Sequence, residues 1–186
     1  MPFITTELRG LLVFEPKVFE DSRGYFFESY NENIFQQQGI QCRFVQDNQS
    51  SSSYGVIRGL HYQLNPHAQT KLVRVLSGRI LDVAVDARNG SPTYGRHFSI
   101  ELSSGNKRQL LIPTGFAHGF SVLSKKAEVL YKCDAFYNKE SEGGIIYNDA
   151  ELSIDWHLPE KDSIISEKDQ LLPSLAQCSN SFVFES

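Results

Sequence analysis

The sequence predicts an all-β fold, a β-sandwich or small barrel with a few short helices. Apolar and polar residues alternate with a period of two through the middle of the chain, and turns rich in Gly, Ser, Asn and Pro interrupt that alternation at short intervals. Helical periodicity is sparse, so sheets packed on each other fit better than a βαβ arrangement. VIRGLHYQ (56–63) reads as a strand, and KLVRVL (71–76) and RILDVAVDA (79–87) form a pair around Ser77-Gly78. HFSIELS (97–103) alternates, breaks at Ser104-Gly105-Asn106 and resumes as RQLLI (108–112). Pro113 and Gly115 predict a turn before FSVLS (120–124), and Lys125-Lys126 separates that strand from AEVLYKCDAFY (127–137). ENIFQQQG (32–39) predicts a short helix closed by its glycine, and SEKDQLLPSL (166–175) a short terminal helix or turn. Gln46 to Asn48 reads as a polar turn, and Ser50 to Ser53 as a low-complexity tract.

A chain of 186 residues fits one domain with a sizeable core. Its 40% hydrophobic and 22% charged residues are ordinary for a globular protein. The net charge of −4 argues against nucleic acid as a partner, because phosphate backbones demand a basic surface. No stretch resembles a signal peptide or a membrane span, so no membrane partner is expected. Cys42, Cys133 and Cys178 are widely spaced and odd in number, which predicts reduced thiols in a cytoplasmic protein.

Sorting the strands into faces exposes candidate chemistry. Ile57, Gly59, His61 and Gln63 share one face of their strand by simple alternation; Lys71 falls with Val73 and Val75. His118 falls with Phe120 and Val122, and Tyr131 with Ala127, Val129 and Cys133. Two imidazoles, an ammonium and a phenol thus point to the apolar side of four strands. A buried ammonium without a partner costs several kcal/mol, roughly, so a polar cavity accounts for this set better than four unrelated burials.

Antiparallel barrels with inward histidines often hold a metal, and two stretches resemble the cupin pattern. Pro113-Thr114-Gly115-Phe116-Ala117-His118 matches the second cupin motif, whereas in the first Gln63 stands in place of the second histidine and Lys71 in place of the glutamate. An ammonium in place of a carboxylate removes a donor and adds repulsion, so no metal is expected. No serine or cysteine lies in a nucleophile elbow. Acid–base chemistry remains: histidine as base, tyrosine as acid and lysine as oxyanion stabiliser suit proton removal next to a carbonyl.

DSRGYFFESY, FVQDNQSSS, GVIRGLHYQ, TKLVRVLSG, IPTGFAHGF, VLYKCDAFY and SEKD occur in this order. Together they resemble the dTDP-4-dehydrorhamnose 3,5-epimerase family, dimeric, metal-free, cupin-like jelly rolls of nucleotide-sugar biosynthesis. The resemblance spans Gly10 to Leu175 and leaves 176–186 as a tail without an expected role, all within one domain. It implies inversion of carbons 3 and 5 of dTDP-4-dehydro-6-deoxy-D-glucose, giving dTDP-4-dehydro-L-rhamnose, with no cofactor. Relatives that invert one carbon carry the same motifs, and a silent nucleotide-sugar binder is a further alternative.

By motif, the resemblance implies His61 as base, Asp169 as the carboxylate orienting it, Tyr131 as acid and Lys71 as stabiliser of the enolate oxygen. His118 would lie beside the sugar or diphosphate. Nucleotide contacts would fall on Arg23, Glu28, Gln46, Asn48, Arg58, Glu142 and Lys168, with Tyr137 stacking on thymine. Alternation sets Arg58 with Val56, Leu60 and Tyr62, on the other face from His61, which conflicts with its implied role. Tyr147-Asn148-Asp149-Ala150 departs from the family's Trp-Asn-Asp-Pro and is expected to affect packing only.

Overall fold

Strands that are apolar on alternate positions need a second sheet to cover them. Residues 2–185, described by a computed structural model, supply two such sheets. The strands are β1 (Phe3–Thr5), β2 (Leu12–Phe14), β3 (Phe19–Asp21), β4 (Gly24–Phe26), β5 (Gln46–Ser53), β6 (Val56–Gln63) and β7 (Lys71–Ser77). They continue as β8 (Arg79–Asp86), β9 (His97–Ser103), β10 (Gln109–Ile112), β11 (Phe116–Val122), β12 (Lys126–Cys133), β13 (Glu142–Gly144) and β14 (Ile164–Ile165). Two short helices, α1 (Glu32–Gln37) and α2 (Glu167–Gln170), complete the set.

The first sheet runs β1-β2-β10-β7-β12-β5, and the second β13-β6-β11-β8-β9 with β14 alongside β6. A separate hairpin joins β3 to β4. Val73, Val75, Leu110, Ile112 and Val129 of the first sheet pack on Ile80, Phe116, Phe120 and Val122 of the second. This is the predicted jelly roll.

Part of each outer face is covered as well. Leu81, Val83 and Val85 of β8 point away from the inner core and pack under Ile145, Leu152, Trp156, Leu175 and Phe182. Ile80 to Asp86 are therefore all buried, which explains a run of near-continuous apolar character. Phe35 of α1 covers Phe14, Leu72 and Leu111 on the other sheet. Asn31 caps α1 through its side chain, accepting from the Asn33 N–H. Trp156 donates from its indole nitrogen to Tyr147 O at 2.8 Å, and buried Asp149 accepts the N–H groups of Glu151, Leu152 and Leu175.

Several boundaries differ from the sequence expectation. β11 starts at Phe116 rather than Phe120, because the turn needs only Pro113 to Gly115, where Gly115 takes φ +90°. β12 ends at Cys133, and 134–141 leave the sheet as a loop. The largest difference is β5: the polar stretch 46–53 is an eight-residue strand paired along its length with β12. It is an edge strand whose inner side faces polar groups, so it carries no apolar alternation to read. The tail is also part of the fold. Phe182 is buried against Tyr62, with ring centroids 5.4 Å apart, while Asn89 pairs with Val183.

A bulge in β6 decides which way its side chains point. His61 pairs with His118, yet Arg58 pairs with Phe120, so three steps on β6 match two on β11. The extra residue reverses the alternation between Arg58 and His61. Ile57, Leu60 and Tyr62 consequently share the outer core, and Arg58 turns to the cavity side with His61. The expectation that Arg58 sits with Leu60 and Tyr62 is corrected by that one inserted residue. Two glycines make the bulge possible. A Cβ on Gly119 would lie 2.6 Å from Arg58 O, and one on Gly59, at φ +121°, would lie 2.5 Å from Gly119 Cα.

Gly119→Ala is therefore expected to lower stability by about 1–3 kcal/mol, the usual range for overpacking. Gly105→Ala, whose added methyl meets nothing closer than 3.6 Å, should change it by less than about 0.5 kcal/mol. Calorimetric unfolding of the two variants checks this, and equal Tm values would refute the close-approach argument.

Candidate active site

Residues opposite one another in an antiparallel ladder project from the same face. In the first sheet one rung carries Gln46, Cys133 and Lys71, and the next carries Asn48, Tyr131 and Val73. In the second sheet one rung carries Gly144, His61 and His118, and Gln63 pairs with Glu142 beside it. The sheets face each other, so the rungs close on a cavity of about 240 Å³. His61, Tyr131 and Lys71 line it, with Gln46, Asn48, Gln63, Tyr137 and Glu142. The imidazole comes from one wall, and the phenol and ammonium from the other.

His61 Nε2 lies 2.7 Å from Asp169 Oδ1. The second oxygen of Asp169 accepts the Gly59 N–H at 3.2 Å, and its backbone N–H donates to the Ser166 Oγ that caps α2. Burial pushes the Asp169 carboxyl up, but the His61 hydrogen bond and charge, the Gly59 N–H and Ser166 outweigh it and hold it below the usual carboxylate range. Asp169 is thus an ionised orienter. It fixes both the ring and the bulge immediately before it.

On the facing wall, burial pulls the Lys71 ammonium down, opposed by Cys133 and the carboxylates of Asp82 and Glu142. A lysine so placed gives up a proton or a hydrogen bond more readily than one in water. Burial raises the Tyr131 phenol, and Cys133 and Glu142 add to that while Arg58 works against it. The phenol keeps its proton at neutral pH, as an acid must. Burial likewise pushes the Cys133 thiol up to about 11, which makes it inert as a nucleophile.

At the mouth, Lys168 Nζ reaches Glu142 Oε1 at 2.6 Å and Tyr137 OH donates to Glu142 Oε2 at 3.1 Å. Burial pushes the Glu142 carboxyl up, and these two bonds more than offset it, leaving it below its usual range. Arg58 Nε donates to Ser52 Oγ at 3.0 Å, and Arg58 borders a cleft of about 420 Å³ that shares His61, Lys168 and Asp169. His118 is buried beside His61, its Nε2 2.7 Å from Asp82 Oδ1.

Eleven predicted site residues therefore gather at one end of the sandwich: His61, Tyr131, Asp169, Lys71, Gln46, Asn48, Arg58, His118, Tyr137, Glu142 and Lys168. Arg23 and Glu28 do not join them within the protomer. Arg23 stands exposed at the β3–β4 turn, paired with Asp21, and Glu28 is exposed and accepts from Asn31. Sequence reasoning missed Asp82, although RILDVAVDA puts it on the inner face with Ile80 and Ala84. It also left Gln63 and Gln69 without roles.

The positions that would hold a cupin metal are otherwise engaged. His61 and His118 bond carboxylates through Nε2, and Gln63 Oε1 accepts the Asn138 N–H at 2.8 Å. Among the described residues no group of three or more His, Cys, Asp or Glu is placed to hold a metal ion. All three cysteines are free, and among the described residues no helix is long and apolar enough to cross a membrane.

Known proteins share this fold and much of this sequence. A family profile described as dTDP-4-dehydrorhamnose 3,5-epimerase matches residues 5–177. A curated enzyme of that name from Shigella flexneri is 52% identical over 170 residues, covering 91% of this chain and 93% of its own. A crystal structure of the enzyme so named from Elizabethkingia anophelis is 56% identical and superposes with a TM-score of 0.89, covering 92% of this chain and 94% of its own. A dTDP-6-deoxy-D-glucose-3,5-epimerase from Legionella pneumophila, solved with dTDP-4-keto-L-rhamnose, is 49% identical with a TM-score of 0.90, covering 94% and 93%. The matched profile and these identities over nearly the whole length show that the chain belongs to the dTDP-4-dehydrorhamnose 3,5-epimerase family.

Proposed function

We propose that His61, Tyr131, Lys71 and Asp169 carry out the epimerisation that names the family. The chain is an isomerase of dTDP-rhamnose biosynthesis, acting at carbons 3 and 5 of dTDP-4-dehydro-6-deoxy-D-glucose. The observation that carries the residue assignment is the meeting of base and acid from opposite walls of one cavity. Inverting a stereocentre requires proton loss on one face of the ring and proton gain on the other. A base on the second sheet and an acid on the first satisfy that requirement.

In each half-reaction His61 accepts the proton from the carbon next to the C4 carbonyl. The C–H electron pair becomes the C=C bond of an enolate, whose oxygen takes a hydrogen bond from Lys71. Tyr131 then donates its phenolic proton to that carbon from the far side. Exchange with solvent removes the proton from His61 and returns one to Tyr131 before the second carbon reacts. Asp169 holds Nε2 and stabilises the charge that arises on the ring. Oxidation level is unchanged throughout, so the steps need no redox cofactor, and Lys71 supplies the positive charge on the enolate oxygen that a metal ion would otherwise bring.

The nucleotide is assigned to the mouth. Tyr137 offers a face for thymine, Arg58 and Lys168 offer cations to the diphosphate, and Gln46, Asn48 and Glu142 offer polar edges. His118, opposite His61 in the β6–β11 ladder, is assigned to the sugar end beside the diphosphate. Arg23 and Glu28 enter this reading through a homodimer, in which the hairpin of one protomer reaches the site of its partner. Support comes from aromatic exposure: Phe19, Tyr25 and Phe26 of the hairpin and Phe136 and Tyr137 at the mouth are all more than half exposed, from 53% to 68%. The open edge of β5 supports pairing too. Free thiols and a nucleotide substrate favour a cytoplasmic location.

Solvent deuterium exchange into dTDP-4-dehydro-6-deoxy-D-glucose, followed by NMR, tests the mechanism. The wild type should take up label at both carbons; label at one alone would make it a single-carbon epimerase, and none would leave only a binder. His61→Ala should remove exchange at both carbons and lower kcat/KM by about 10²–10⁴-fold. Exchange surviving at either carbon would show another base. Tyr131→Phe should retain part of the exchange while product falls by about 10²-fold or more. Undiminished product would take Tyr131 out of the mechanism.

A further inference from the structure

The loop between β12 and β13 carries Tyr137 over the cavity and delivers Glu142 beside His61, yet it belongs to neither sheet. Loops of this kind are mobile unless their backbone groups are held. Two glutamines hold this one from opposite walls. Gln46 on β5 accepts the Tyr137 N–H at 3.1 Å, and Gln63 on β6 accepts the Asn138 N–H at 2.8 Å. Successive amides of an extended chain point to opposite sides, so each wall can take one of the two. Gln69 adds a third tie, donating to Ala135 O at 2.8 Å.

Gln63 is the buried member of this set, at 5% exposure. It ends β6 on the cavity side, two residues after His61, and its ladder partner is Glu142. Past Asn138 the chain makes a 3-10 turn, with the Asn138 side chain accepting the N–H groups of Glu140 and Ser141, and enters β13. Fixing the Asn138 N–H therefore fixes what flanks it: the Tyr137 ring on one side and the Glu142 carboxylate on the other, joined by their own 3.1 Å bond.

We propose that Gln63 is a positioning residue for nucleotide binding: its side-chain carbonyl holds the loop so that Tyr137 and Glu142 stand ready at the mouth. This rests on the nucleotide lying at that mouth, as proposed above. It gives a reason for an amide where a metal-binding cupin carries a histidine. The acceptor oxygen is what the position needs: an imidazole that ligates a metal through one nitrogen carries a proton on the other and cannot accept the Asn138 N–H.

The test compares Gln63→Met, which keeps length and loses the acceptor, with Gln63→Glu, which keeps an acceptor. Binding of dTDP alone is read by calorimetry, and turnover of the dTDP-sugar by steady-state kinetics. Gln63→Met should weaken dTDP about tenfold, equal to about 1.4 kcal/mol, and raise KM similarly, while kcat stays within about threefold of wild type. Gln63→Glu should recover most of the loss. Unchanged dTDP affinity in Gln63→Met would overturn the proposal, as would a loss confined to kcat or a failure of Gln63→Glu to rescue. A wild-type protein that does not bind dTDP would instead sink the underlying assignment of the mouth. Thermal unfolding of Gln63→Met within a few degrees of wild type separates a loosened loop from a lost fold.

Discussion

One carboxylate ties the chemistry to the fold. Asp169 reaches from a four-residue helix near the end of the described core and spends its oxygens on two neighbours in β6: the His61 ring and the Gly59 N–H. The first bond sets the orientation of the imidazole proposed as the base. The second secures the inserted residue that brings Arg58 onto the same side as His61. If either neighbour shifted by one position, a one-residue slip would send the imidazole to the opposite face of the sheet. Ser166 then anchors the carboxylate from behind through the cap of its own helix. A hydrogen-bonded ion inside a protein is stronger than one in water, and costlier if left unpaired, so this small network is stiff.

The same logic explains why the site lies between sheets. A sandwich offers two walls whose inward residues are fixed by separate ladders, so groups on opposite walls keep their separation while the ligand changes. His61 is held by the β6–β11 ladder and Tyr131 and Lys71 by the β12–β7 ladder. Reprotonation from the far side needs that kind of fixed opposition. The mouth differs: Tyr137, Glu142 and Lys168 hang on a loop, a three-residue strand and a short helix, held by hydrogen bonds rather than by packing.

Much of this was legible before any coordinates. Alternation identified β7, β8, β9 and β10, and it put Lys71 of β7, His118 of β11 and Tyr131 of β12 on the inner face, because alternate residues of these strands meet an apolar core. β5 was not legible, since a polar edge strand facing a polar cavity shows no hydrophobic period. Arg58 was assigned to the wrong face for a different reason. A bulge changes the parity of a strand, and the only trace it leaves in sequence is a glycine, here Gly59, which has many other uses. Asp82 sat in plain view as a carboxylate between Ile80 and Ala84 on the inner face, and the periodicity alone was enough to find it. The tail from 176 carried no periodic pattern, and its burial hangs on one residue, Phe182.

An interior given over to catalysis must be stabilised from elsewhere. One end of the inner space holds Lys71, Tyr131, His61, His118 and Asp82 where an ordinary sandwich would place aliphatic side chains, and Asp82 Oδ2 is buried with no hydrogen-bond partner among the described residues. Each such group forgoes roughly 1.5–3 kcal/mol of apolar burial and adds a desolvation cost. The compensation is visible in the layers outside the sandwich. Leu152, Trp156, Leu175 and Phe182 cover the second sheet, and Phe35 with its neighbours covers the first. The central strands are thereby buried on two faces, as β8 from Ile80 onward and all of β10 are, while β5 and β9 keep one face exposed. The largely irregular segment from Ile145 to Phe182, which looks dispensable beside the strands that line the cavity, adds apolar burial outside the sandwich that offsets the burial given up to polar groups within it.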